Sequence, residues 1–143
     1  MKRVKGIVLP LLVAVFVFGG ALALTWAQDV PALSGITVED AHPNGCIDCH
    51  RSAGANDYRL NVSLKAAGHP DITAMVKTVP TDCAICHKAN TPLQAISQQV
   101  HKAHYQNPSE NHFVTAYSGE CLACHTLNTA TGVMTVKSAP KNW

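Results

Sequence analysis

Every cysteine in the chain belongs to one of three copies of Cys-x-x-Cys-His: Cys46-Ile-Asp-Cys49-His50, Cys83-Ala-Ile-Cys86-His87 and Cys121-Leu-Ala-Cys124-His125. This is the attachment sequence for c-type haem. Both thiols add to the haem vinyl groups as thioethers, and the histidine that follows is placed under the iron as an axial ligand. Cys46, Cys49, Cys83, Cys86, Cys121 and Cys124 are therefore the predicted covalent attachment points of three haem c groups, with His50, His87 and His125 as proximal ligands. Two other chemistries use paired cysteines. Three disulfides would suit a small exported chain. They would not explain a histidine after each pair, and joining cysteines three apart closes too short a loop to restrain much. A four-thiolate zinc site would use two pairs and strand the third.

The opposite axial position of each iron decides what the chain can do. A second histidine or a methionine closes the site for electron transfer, whereas an open site permits ligand binding and catalysis. Five of the eight histidines lie outside the motifs: His42, His69, His101, His104 and His112. Three irons need at most three of them. Met75 and Met134 are further possible ligands, disfavoured by the supply of histidine. In His101-Lys102-Ala103-His104 two imidazoles stand three apart on a predicted helix, so they leave one broad side of it. One helix can thus reach two irons. Val100 and Tyr105 are expected to pack on the macrocycles. His69, between the first and second motifs, is the third expected distal ligand. His42 and His112 are held in reserve. His42 precedes Cys46 too closely to reach the same iron and would serve a neighbour.

These ligands must be positioned by short elements. Pro43-Asn44-Gly45 is a turn that presents the first motif. Residues 58 to 65 alternate apolar and polar, the pattern of a half-buried strand. A short helix is expected from His69 to about Val79. Thr91-Pro92-Leu93-Gln94 combines a cap, a proline at the first helical position and a capping-box glutamine, which predicts a helix from Thr91 to about Tyr105. Leu93, Ile96 and Val100 share one of its faces. Residues 111 to 120 read as a loop. Gly132 to Val136 reads as a strand that could pair with residues 58 to 65. Gln28 to about Ala41 reads as an extended arm. The motifs start 37 and 38 residues apart, but the intervening sequences do not repeat.

Lys2, Arg3 and Lys5 precede an apolar run to about Leu24, and Thr25-Trp26-Ala27 carries small residues where a signal peptidase cuts. Residues 1 to 27 are thus an expected secretory leader, or a membrane anchor if it stays uncleaved. Residues 28 to 143 form one domain. Three of the eleven Lys and Arg residues fall in the leader, which leaves eight bases against nine acids. Haem propionates would make the surface more acidic still. No basic patch or aromatic series suited to nucleic acid is present. Large apolar side chains are few, so the expected fold is mostly irregular with a few short α-helices, organised around its haems.

The order of motif, lone histidine, motif, His-x-x-His, motif resembles small multihaem cytochromes c. It is similar to the haem modules of outer-membrane decahaem cytochromes. His101-Lys102-Ala103-His104 before an attachment motif, and His42 just ahead of the first, are similar to small tetrahaem cytochromes and to the haem domain of flavocytochrome c fumarate reductases. Ala139-Pro140-Lys141-Asn142-Trp143 is similar to the end of that haem domain. The likeness covers residues 42 to 143. The chain departs in having three motifs rather than four, more widely spaced, and no flavin-binding sequence. The resemblance implies an exported electron carrier, periplasmic or extracellular, and not an enzyme in itself. Its expected role is anaerobic respiration, between a quinol dehydrogenase and a terminal reductase, an extracellular acceptor or further cytochromes. Two alternatives remain open: the haem subunit of a flavin-dependent reductase, and a self-assembling subunit of a haem-stacked extracellular filament.

Overall fold

The computed structural model describes residues 30–143. The leader, Gln28 and Asp29 lie outside the described residues. The domain is small and largely irregular, with four short helices: α1 (Cys46–Cys49), α2 (Leu60–Ala66), α3 (Ile96–Tyr105) and α4 (His112–Tyr117). Single 3-10 turns span Thr81–Ile85 and Cys121–Ala123. Six strands of two or three residues pair antiparallel as three separate ribbons. β1 (Ser52–Ala53) pairs with β2 (Asn56–Asp57), β3 (Thr78–Val79) with β6 (Ala139–Pro140), and β4 (His125–Leu127) with β5 (Met134–Val136). No helix among the described residues is long and apolar enough to cross a membrane.

Each Cys-x-x-Cys sits on one helical turn, which brings its cysteines to one side of that turn. In the first two motifs the histidine closes the turn, its amide donating to the first cysteine's carbonyl: His50 to Cys46 at 2.9 Å and His87 to Cys83 at 3.0 Å. The turn at 43–45 forms as expected, with the Gly45 amide on the His42 carbonyl at 3.1 Å. Gly45 is required there. Its φ is +61°, and a Cβ would stand 3.0 Å from Cβ of Lys137.

Several expected elements differ. Residues 60–66 are helical rather than extended, because Leu60 and Leu64 are also a helical i, i+4 pair and both pack on the core. Between His69 and Val79 only one turn forms, closed by Met75 and Val76 amides on the Ile72 carbonyl. Helix α3 starts at Ile96, not Thr91: the Thr91 hydroxyl bonds the Lys88 carbonyl, and Gln94 has φ +57°. Residues 112–117 are a helix capped by Asn111, whose Oδ1 accepts from the Phe113 amide at 3.0 Å while its Nδ2 donates to the Ala103 carbonyl at 2.9 Å. Strand 134–136 forms but pairs with His125–Leu127. Within the expected arm, Ser34 bridges Val38 around a turn, and Ser34 is buried.

The core is small. Ile72, Val76 and Val79 are buried together, with Leu60, Leu64, Ile47, Cys46 and Trp143 against them. Residues 137–143 strap the motifs to one another. The Lys137 amide donates to the Cys124 carbonyl at 2.9 Å, Ser138 meets Thr81 at 2.9 Å, and Asn142 Nδ2 donates to the His50 carbonyl at 2.9 Å. Lys137 is the one buried lysine among the described residues. Its Nζ donates to Asp40 Oδ1 at 2.8 Å, the His42 carbonyl at 2.9 Å and the Leu122 carbonyl at 2.6 Å. Removing one partner of a buried pair strands the other charge. Asp40 is 24% exposed, so Asp40→Asn is expected to cost about 2 kcal/mol, below the loss for a fully buried pair. The Lys137 hydrogen bond holds the Asp40 carboxyl below its ordinary 3.8. That stabilisation is full above this ordinary value and is lost as pH falls through the lowered folded value. Denaturant unfolding at pH 7 and near pH 2 should show the variant's deficit shrinking in acid.

Candidate functional site

The motif histidines do not stand alone. The ring of His50 faces His104, with centroids 6.1 Å apart and planes at 88°. His87 faces His69 at 5.9 Å and 23°. His125 faces His101 at 6.0 Å and 9°. Each motif histidine is thus opposed by a different histidine from outside the motifs. Helix α3 supplies two of these partners. His101 reaches the third motif and His104 the first, while His69, just after α2, reaches the second.

These spacings are also those of ordinary aromatic contacts. Ring hydrogen bonding adds a second observation for two of the three pairs. A carbonyl can only accept, so a ring nitrogen beside one carries the proton. Nδ1 of His50 meets the Tyr58 carbonyl at 3.2 Å and Nδ1 of His104 the Val100 carbonyl at 2.8 Å. Nδ1 of His69 meets the Pro70 carbonyl at 2.8 Å and Nδ1 of His87 the Leu93 carbonyl at 3.0 Å. In the neutral form of these four rings the lone pair is then on Nε2, the arrangement that metal-ligating histidines use. Two imidazoles on opposite sides of one ion, at bonds of about 2 Å, would have centroids roughly 6 to 6.5 Å apart. All three pairs fit that span within a few tenths of an ångström. Burial, the largest influence, lowers the pKa of His50 and favours its neutral, ligating form; the His104 ring acts the same way against the Tyr58 carbonyl.

All six cysteines are unpaired. Cys46, Cys83 and Cys124 are half-buried, and Cys49, Cys86 and Cys121 are exposed. Cys46 lies against Cys124, so the first and third motifs meet at their sulfurs. That contact, together with burial, raises the Cys46 thiol, and the hydrogen bond from Cys46 lowers Cys124 to about 7. Among the described residues no three His, Cys, Asp or Glu side chains converge on one point. The opposed imidazole pairs, two nitrogen donors each in motifs that also carry two thiols, are the donor sets from which a metal-bearing group could be held.

The two reserve histidines sit elsewhere. Nδ1 of His42 lies 3.9 Å from Cys49 Sγ, and no second imidazole opposes it. His112 is exposed at the start of α4, edge-on to Tyr117 at 5.4 Å. Phe113 instead braces the site, edge-on to His104 at 5.1 Å and to Tyr105 at 5.6 Å. The carbonyls of Tyr58, Pro70, Val100 and Leu93 were not among the expected site groups, since a backbone acceptor has no sequence signature. No family model, curated protein or solved structure matches the chain.

Proposed function

We propose that the chain is an exported trihaem cytochrome c that carries electrons, with the iron pairs His50/His104, His87/His69 and His125/His101. The observation that carries this reading is the opposition of each attachment-motif histidine to a separate histidine about 6 Å away. When bound, haem supplies reversible one-electron iron chemistry. The polypeptide's contribution would be to offer two imidazoles to each iron, four of the six held by a backbone carbonyl that fixes the tautomer, and so to close the sites to exogenous ligands. Bis-histidine ligation favours low potential relative to His/Met. That suits an anaerobic chain running from a quinol-side donor to a terminal reductase or extracellular acceptor. Helix α3 sets the first and third irons near one another, because His101 and His104 are less than one helical turn apart.

The test is the mass and spectrum of the secreted protein. The mature chain is expected to exceed its polypeptide mass by three haems, and its ferric spectrum to be entirely low-spin without a sulfur-to-iron charge-transfer band. Any other haem number removes the central claim, and strong high-spin bands remove the closed sites.

A further inference from the structure

The three histidine pairs share a construction but not a hydrogen-bond shell. In the His50/His104 and His69/His87 pairs every Nδ1 meets a backbone carbonyl, at 2.8 to 3.2 Å. The third pair has no such acceptor. Nδ1 of His125 is buried without a partner. Among the described residues the ring of His101, which is exposed, meets the rings of Tyr105 and His125 and no backbone carbonyl.

This difference has an electronic consequence. An imidazole whose N–H is held by a carbonyl is a more basic ligand through its other nitrogen. A more basic ligand favours ferric over ferrous iron, so losing both carbonyls favours reduction. A second feature acts in the same direction. The buried Lys137 ammonium donates to the carbonyl of Leu122, inside the third motif, at 2.6 Å. Its counter-ion Asp40 lies on the other side, where Oδ1 accepts from the His42 amide at 2.9 Å, ahead of the first motif. The ammonium also donates to the His42 carbonyl at 2.9 Å, so it lies between the two motifs; the first motif's side meets the carboxylate as well, whereas the third meets the ammonium alone, and a nearby cation stabilises an iron that has gained an electron.

We infer that the iron held by His125 and His101 has the highest reduction potential of the three, so that the first electron accepted by the chain settles at the third motif. The inference rests on the trihaem reading above. One electron from a reduced donor protein converts one ferric iron to ferrous, and no ligand proton need move.

Proton NMR of the stepwise-reduced holoprotein tests it. Haem methyl resonances carry large paramagnetic shifts while their iron is ferric. His101→Met exchanges nitrogen for thioether at one iron, and the set of methyl resonances it displaces identifies that haem in the unsubstituted protein. If this variant does not accumulate, His101→Ala marks the same set. The expected result is that this set loses its paramagnetic shift in the first of three one-electron steps. Loss in the second or third step overturns the inference while leaving the trihaem reading intact. A haem count other than three removes both, and it is read separately by mass.

Discussion

Alanine at His104 is expected to turn one of the three haems high-spin and to let the reduced protein bind one equivalent of carbon monoxide per chain, where the unsubstituted protein binds none. His101→Ala should do the same at a different haem, and the double variant should bind two equivalents. The expectation follows from what each ring faces. His104 lies 6.1 Å from His50 and His101 lies 6.0 Å from His125. Alanine is a better helix former than histidine, so α3 itself should not be weakened. Opening of a haem would then report loss of a ligand rather than loss of the helix. His112→Ala is the control, because His112 is exposed and faces Tyr117. His69→Ala should open the remaining haem. If His112→Ala opens a haem and His69→Ala does not, helix α4 supplies the ligand and the second pair is misassigned.

The turn that carries each Cys-x-x-Cys-His was legible in the sequence because its pattern is local: two thiols and an imidazole within five residues. The His101/His104 pair was legible for a similar reason, since i, i+3 spacing on a helix fixes divergence without knowledge of the rest of the fold. Local rules failed where a backbone carbonyl serves a ring. A helix from Thr91 would commit the Leu93 carbonyl to residue 97, but that carbonyl takes Nδ1 of His87. A helix from His69 would likewise bury the Pro70 carbonyl in its own ladder, and here it takes Nδ1 of His69. The Tyr58 carbonyl, expected in a strand, takes Nδ1 of His50 and the Ser63 hydroxyl. Capping boxes and apolar alternation describe what a segment does when its own hydrogen bonds decide. In these three segments a side chain takes the acceptor, and the element starts late, shortens or changes type. Local propensity is expected to yield at functional sites in this way. The Lys137 strap escaped for a different reason. A lysine in a strand-like tail reads as a solvated residue, and only the return of the chain between the first and third motifs buries it.

Without covalent haem the chain is expected to lose its cooperative fold altogether, the largest effect any single manipulation should have. The elements cannot stand alone: the longest helix among the described residues, Ile96–Tyr105, has ten residues, fewer than an isolated helix needs in water. Two-stranded ribbons of two or three residues are no better. Among the described residues one aliphatic cluster is buried, Ile72, Val76 and Val79, while Tyr58, Met75, Ile85 and Leu93 are more than half exposed. Ile85 lies inside the second motif and Leu93 carries the carbonyl that His87 uses, so this apolar surface adjoins the proposed second haem. Haem-dependent folding then parallels that of small metal-dependent domains, where binding free energy is folding free energy. Chain made without haem attachment should show no cooperative thermal transition by circular dichroism and poor amide dispersion. A graded variant localises the effect. Cys83→Ser with Cys86→Ser removes only the second attachment, and hydrogen exchange should rise between His69 and Ala95 while α3, tied to the first and third motifs, keeps its protection. Cooperative melting of the haem-free chain would show that its small core suffices, and a haem-organised fold would then be the wrong description.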